Sequence, residues 1–170
     1  PARWALIQIF TELPQFLGGS KSIALQYANE LEEMSLIDGL FAKKYIYDFK
    51  NDNKMSKIFN TQILEKLESF NSQYDYNYLN YSIGSFCEAN KYNLDKGTLY
   101  LKYYIENFTS RDRSTPDQAF YLLAKIYYYN NDLYNAKVQI DNAISYYNSN
   151  QIDNQSVYRE MIMLKKKLDK

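Results

Sequence analysis

Residues 117–150 read DQAFYLLAKIYYYNNDLYNAKVQIDNAISYYNSN. Apolar and small residues recur there at steps of three and four, the period of an amphipathic helix, on both sides of a polar Asn-Asn-Asp. Thr115 precedes a Pro and stands three residues before a Gln, the spacing of a capping box at a helix start. The stretch therefore predicts two helices, over about 116–129 and 133–147, joined by a tight turn.

The same stretch carries a repeat pattern. It reads Phe120-x-x-Leu123-Ala124-x-x-Tyr127, followed by Ala136-x-x-x-Ile140-x-x-Ala143. This order of aromatic, Leu, small, Tyr, then Ala, large apolar, Ala resembles the tetratricopeptide repeat, as does the spacing of 12 from Ala124 to Ala136. Small residues would let two antiparallel helices approach closely. The terminal Pro of the family pattern is absent here.

Looser copies of the pattern precede it. Gly84 and Gly97 occupy the two small positions, 13 residues apart, and Phe41-Ala42-x-x-Tyr45 supplies the first half of another copy. Gly18-Gly19 before Ala24 resembles a turn of divergent tetratricopeptide pairs in bacterial envelope proteins. The resemblance is therefore strongest over 117–150 and weaker toward the start of the chain.

The resemblance implies an all-α protein, a right-handed α-solenoid of antiparallel tetratricopeptide-like helix pairs with about nine helices. One domain over residues 1–170 is expected. The helix pairs are predicted over about 2–34, 36–70, 74–108 and 116–148, with a capping helix over 152–168. An irregular helical bundle is the alternative.

Composition excludes several functions. The chain has 170 residues, 20 basic and 20 acidic side chains, no His and one Cys. Zero net charge argues against a nucleic-acid binder, which needs basic residues to neutralise phosphates. Without His there is no Ser-His-Asp triad and no His-ligated metal. We expect no enzyme, no cofactor and no metal; converging carboxylates in a deep pocket would be needed for catalysis. No apolar run is long enough for a membrane span.

Three local patterns suggest chemistry but fit a structural role better. Gly18 to Ser22 lacks the spacing and preceding strand of a phosphate loop. Asp48 to Asn53 has the polarity of a calcium loop but Lys at position 50, and neither the turn Gly nor the closing Glu. Cys87 lies at an inward repeat position, where a small buried thiol is expected.

Tyr is the unusual residue, with 19 copies, of which sixteen lie between Tyr74 and Tyr158. An AT-rich genome would explain the number. The positions suggest more, because the first helix of each tetratricopeptide pair lines a concave groove. Carried onto this sequence, the groove residues are Tyr78, Tyr81, Ser85, Glu88, Gln118, Tyr121, Lys125, Tyr128 and Tyr129, with Lys43, Ile46 and Tyr47 on the second pair. Tyr104 and Tyr127 are expected to pack between helices instead.

These positions predict a protein-protein interaction scaffold that binds a peptide or partner helix in a Tyr-lined groove. Tyr suits such a surface because it combines a large contact area with a hydroxyl. The alternative is a purely structural repeat segment of a larger envelope protein or assembly. Pro1-Ala2-Arg3-Trp4 begins within a helical pattern, which indicates a fragment or processed chain. The envelope resemblance favours a bacterial periplasm, and the oligomeric state is not predicted.

Overall fold

The computed structural model describes residues 2–70 and 77–170, and within them it contains nine α-helices, one 3-10 turn and no strand. The all-α prediction is confirmed for that part of the chain. The helices are α1 (Ala2–Glu12), α2 (Lys21–Met34), α3 (Leu36–Phe49), α4 (Asn53–Leu67), α5 (Asn77–Asn90), α6 (Leu94–Glu106), α7 (Pro116–Tyr129), α8 (Leu133–Ser149) and α9 (Gln155–Leu168), with the 3-10 turn at Gln15–Leu17.

The chain forms two compact units, Pro1–Ser72 and Gln73–Lys170, hereafter unit 1 and unit 2. In a repeat array each helix contacts only its near neighbours, so compact units also arise within a single array. The predicted single domain therefore stays a prediction. The predicted third helix pair begins at residue 74, and residues 74–76 lie outside the described residues.

Unit 1 packs α2 against α1 and α3, and α3 against α4, while α1 also contacts α3. Small side chains allow this approach: Ala24, Ala28 and Ala42 are completely buried. The indole Nε1 of Trp4 donates to Asp38 Oδ1 at 2.6 Å, which ties α1 to α3. The sequence spacing places Asp38 in a capping box with Ser35. That interpretation is wrong, because Ser35 makes no capping hydrogen bond to the first turn of α3.

The turn between α1 and α2 confirms the role expected for the Gly pair. Gly18 has φ +96°, a left-handed conformation that side chains other than Gly disfavour. A Cβ on Gly19 would lie 1.8 Å from the carbonyl oxygen of Leu13, so no larger residue fits there. Ser20 then caps α2, since its hydroxyl accepts the amide N–H of Ile23.

Unit 2 contains α5 to α9. Each of these helices packs against the next, and in addition α5 contacts α7 and α7 contacts α9. Two clusters of its core are formed by described residues, one between α6 and α7 and one among α7, α8 and α9. The first is Leu101, Tyr104, Ala119, Leu122, Leu123 and Ile126; the second is Ala124, Ala136, Ile140, Ala143, Met161, Leu164 and Leu168.

The small residues of the repeat pattern lie where helices of unit 2 touch. A Cβ on Gly84 would meet Leu101 Cγ at 2.4 Å, and one on Gly97 would meet Cys87 Cβ at 2.7 Å. Tyr104 is buried and Tyr127 packs against both core clusters, as expected for residues between helices. The last helix begins later than predicted, at residue 155, because Asn154 caps it.

Candidate functional site

The nine predicted groove residues of unit 2 lie on two helices that contact each other, α5 and α7. We call them the α5–α7 face. Helix α5 contributes Tyr78, Tyr81, Ser85 and Glu88, and α7 contributes Gln118, Tyr121, Lys125, Tyr128 and Tyr129.

Glu88 lies at the centre of this face and is only 5% exposed. Its Oε1 atom accepts from Lys125 Nζ at 2.6 Å and from the Tyr129 hydroxyl at 3.0 Å. Burial raises the pKa of Tyr129 to about 12, and the negative charge of Glu88 adds to the effect. A carboxylate this deeply buried needs such partners, so the three side chains act as a polar brace between α5 and α7.

Tyr121 extends the network to α9. Its hydroxyl donates to Glu160 Oε2 at 3.2 Å, and Lys125 Nζ lies 5.5 Å from the centre of its ring. Burial and the Glu160 carboxylate both raise the pKa of Tyr121 above its usual value. The ring is half-buried and packs against the α7–α8–α9 core cluster. Sequence reasoning missed Glu160, because no repeat motif marks the residues of α9.

Tyr81 and Gln118 form the other end of the face. The Tyr81 hydroxyl donates to Gln118 Oε1 at 3.3 Å, and its ring lies 5.2 Å from that of Tyr104. Burial raises the pKa of Tyr81 to about 12. The capping box expected from Thr115 and Gln118 is wrong: Thr115 holds the N-cap position but makes no capping hydrogen bond.

Tyr128 and Tyr129 are the rings of the α5–α7 face most open to solvent, at 39% and 37% exposure. Their centres are 6.3 Å apart, and Lys91 Nζ lies 4.8 Å from that of Tyr129. Tyr78 is half-buried. The exposed aromatic surface that a partner could cover therefore lies at the C-terminal end of α7.

The groove positions predicted for unit 1 are only partly surface residues. Ile46 is completely buried, so its assignment to a groove is wrong. Tyr47 stacks on Phe59 at 5.5 Å and has Lys21 Nζ 4.2 Å above its ring. Lys43 is held by Glu32 at 2.6 Å. These contacts stabilise unit 1 itself and leave little of the three side chains for a ligand.

Asp117 is a buried acid that sequence reasoning missed. It is the second residue of α7 and is completely buried. Neither carboxylate oxygen has a hydrogen-bond partner within the described part of the chain, and the same holds for the hydroxyl of Thr115. Burial raises the pKa of Asp117. The acidic first turn of a helix normally predicts a solvated residue, so no sequence signal reveals this burial.

The other patterns with possible chemistry have structural partners. Asp48 binds Lys44 at 2.6 Å and the Ser56 hydroxyl, and Asp52 caps α4 by accepting the amide of Met55. Cys87 is buried, which raises the pKa of its thiol to about 12. In residues 2–70 and 77–170, no three His, Cys, Asp or Glu side chains gather in a way that could hold a metal ion.

An open depression of about 330 Å³ lies on the other side of α7, against α8. It is lined by Phe120, Asn142, Ser145, Tyr146, Ser149 and Asn150. It includes no residue of the α5–α7 face, and Asn142, Ser145 and Ser149, which line it, are exposed side chains of α8. The face itself is thus a surface of rings and braced polar groups.

No family model matches the chain, and neither a curated protein nor a solved structure matches it. Among the described residues, no helix combines the length and apolarity that crossing a bilayer requires.

Proposed function

We propose that the chain is a non-enzymatic scaffold of tetratricopeptide-like helix pairs in a right-handed solenoid, and that the α5–α7 face binds a peptide or partner helix. Two sets of helix contacts support the repeat arrangement. Each helix of unit 2 packs on the next, and the alternate helices α5, α7 and α9 also contact in sequence. In a solenoid of helix pairs, such alternate helices form one layer and offer a continuous surface.

One observation carries the binding function. Among the residues that the repeat pattern assigns to one surface, Glu88 binds Lys125 and Tyr129 across α5 and α7, and Tyr121 donates to Glu160 of α9, yet the rings of Tyr128 and Tyr129 stay exposed at the edge. Glu88 and Lys125 hold the helices, so the rings of Tyr128 and Tyr129 stand on a fixed support. A preorganised aromatic surface loses little entropy on binding, and Tyr is enriched among the residues that dominate interfaces.

The second candidate is a structural repeat segment of a larger assembly. Exposed apolar side chains in unit 1 favour it: Phe16 is 85% exposed and Leu17 59%, both on the 3-10 turn, and Met34 is 69% exposed. Further repeats stacked on unit 1 would cover such side chains. In that case the α5–α7 face would bind nothing.

Peptide selection tests the proposal. A random peptide library displayed on phage is panned on the full chain, and the enriched peptides are added to isotope-labelled protein. We expect NMR shift changes centred on Tyr128 and Tyr129 of the α5–α7 face. Enrichment of no peptide, or shift changes confined to unit 1 or to α8, would contradict the proposal and favour the structural candidate.

Two variants sharpen the footprint. Tyr128→Ala removes an exposed ring from the α5–α7 face, whereas Tyr134→Ala removes a ring that is 77% exposed on α8. Tyr121→Ala is unsuitable as a binding variant, because the Tyr121 ring packs on the core and its loss would also destabilise the fold. Tyr121→Phe keeps the ring and removes only the hydroxyl. We expect Tyr128→Ala to weaken peptide binding and Tyr134→Ala to leave it unchanged, with the same helix content in both variants.

A further inference from the structure

The buried acid at the start of α7 calls for an explanation. Asp117 has no exposed surface, and neither of its oxygens is hydrogen-bonded within the described residues. Buried polar groups are nearly always paired, because an unpaired one loses its hydration without compensation. A buried carboxylate escapes this cost either by binding a proton or by moving to water.

The groups around Asp117 do not compensate its charge. Tyr81 of α5 and Tyr104 of α6 face it closely enough for its charge to raise their pKa values. Asp112 of the loop between α6 and α7 and Tyr146 of α8 also raise the pKa of Tyr104. Among the described groups that shift the pKa of Asp117 itself there is no cation.

The remaining neighbours on α7 and α9 leave the balance unchanged. The Thr115 hydroxyl and the amides of Asp117 and Gln118 are the nearest donors, and they favour the ionised form without reaching hydrogen-bond geometry. Lys125 is engaged two turns further along by Glu88, and Glu160 of α9 accepts from Tyr121. Burial therefore dominates and keeps Asp117 protonated to a higher pH than an ordinary Asp.

The next residue connects this acid to the α5–α7 face. The side-chain oxygen of Gln118 accepts the hydroxyl of Tyr81 at 3.3 Å. The backbone N–H of Gln118 donates to the Thr115 carbonyl at 3.0 Å in the first turn of α7. An outward shift of this turn would bring an ionised Asp117 to water, and it would also separate Gln118 from Tyr81, whose hydroxyl Gln118 accepts.

We propose that Asp117 is a proton-operated latch on the α5–α7 face. When it is protonated, the first turn of α7 lies against α5 and the Tyr81–Gln118 contact is closed; when it is ionised, that turn moves out and the contact opens. The effect on ligand binding rests on the proposed function, whereas the latch itself does not.

The latch is tested first without a ligand. The Asp117 side-chain carboxyl is titrated by carbon-detected NMR in the full chain, with the Gln118 side-chain amide and the Tyr81 ring followed in parallel. We expect a midpoint above the usual Asp value of 3.8, shared by the Gln118 and Tyr81 signals. The latch is wrong if Asp117 titrates at or below that value, or if the other two signals do not follow it.

Thermal unfolding gives an independent test. Because the pKa of Asp117 is raised in the native state, this residue stabilises the folded wild-type chain below pH 3.8. The stabilisation is lost as the pH rises through the native pKa. Asp117→Asn does not ionise, so its melting temperature should rise relative to wild type over that range. Asp95→Asn is the matched control, since Asp95 is the exposed second residue of α6. The latch is wrong if, over this pH range, the melting temperature of Asp117→Asn rises relative to wild type by no more than that of Asp95→Asn does.

Peptide binding separates the two proposals. A peptide selected on the α5–α7 face should bind wild type more tightly at a pH below the Asp117 midpoint than above it, and Asp117→Asn should lose this dependence. Binding that is equal in wild type on both sides of the midpoint refutes the latch but leaves the proposed function intact. If no peptide is selected, the proposed function fails and the two ligand-free tests still decide the latch.

Discussion

Gly84→Ala probes the close approach of α5 and α6, the feature that links the sequence pattern to the packing. The new Cβ would lie 2.4 Å from Leu101 Cγ and 2.7 Å from its Cδ2. Carbon atoms pack at about 3.5–4.0 Å, so one of the two groups has to move by more than 1 Å. Rotation about χ2 leaves Leu101 Cγ in place, and because Leu101 is completely buried, a rotation about χ1 that moves Cγ has to displace its core neighbours.

The expected loss of stability follows from two opposing effects. Overpacking a core costs about 1–3 kcal/mol, while replacing Gly by Ala inside a helix gains up to about 1 kcal/mol. We therefore expect Gly84→Ala to lower the free energy of unfolding by about 1–2 kcal/mol. For a unit of this size that corresponds to a fall in melting temperature of roughly 5–10 °C.

A double-mutant cycle identifies the cause. Urea unfolding followed by circular dichroism gives the free energy for wild type, Gly84→Ala, Leu101→Ala and the double variant. Leu101→Ala alone should cost about 2–5 kcal/mol, and the added methyl should fill part of its cavity. The double variant should then be at least about 1 kcal/mol more stable than additivity requires. Additivity within about 0.5 kcal/mol would refute the contact, as would a stabilising Gly84→Ala.

Further variants test three other contacts. Glu88→Gln should lower the free energy of unfolding by about 2 kcal/mol, because it leaves Lys125 without its charged partner. It should also lower the Tyr129 pKa from about 12. An unchanged Tyr129 pKa, measured by tyrosine-ring NMR, would contradict the brace. Asp52→Ala should cost about 1 kcal/mol through loss of the α4 cap, whereas Asp52→Asn should retain most of it in the same urea assay. Trp4→Phe should raise the already raised pKa of Asp38, since the Trp4 hydrogen bond lowers it; a carboxyl titration showing no rise would exclude that contact.

Local signals predicted most of the helices. Steps of three and four place all nine, and Ser20 and Asp132 cap α2 and α8 through bonds to amides within one turn. The small positions Gly84 and Gly97 also lie at helix contacts, because only small residues permit that approach. The predicted start of α9 was wrong because Asn154 caps that helix, and the predicted capping box at Thr115 was wrong because its hydroxyl makes no capping hydrogen bond while Gln118 accepts from Tyr81.

Contacts between residues distant in the chain could not be read from the sequence. The repeat pattern assigns Glu88 to a surface, but its burial depends on Lys125 and Tyr129, about 40 positions away. Asp117 lies in what looks like an ordinary helix start and is nevertheless completely buried. Charge burial is decided by which helices meet, and periodicity alone does not specify that.

The central claim is that the α5–α7 face binds a peptide through its exposed Tyr rings. Isothermal titration calorimetry of one display-selected peptide against wild type, Tyr128→Ala and Tyr134→Ala tests it most directly. We expect Tyr128→Ala to weaken the Kd by about tenfold or more, the effect of losing about 1.4 kcal/mol at an aromatic anchor, and Tyr134→Ala to leave it unchanged. Equal affinities for all three proteins would contradict the claim.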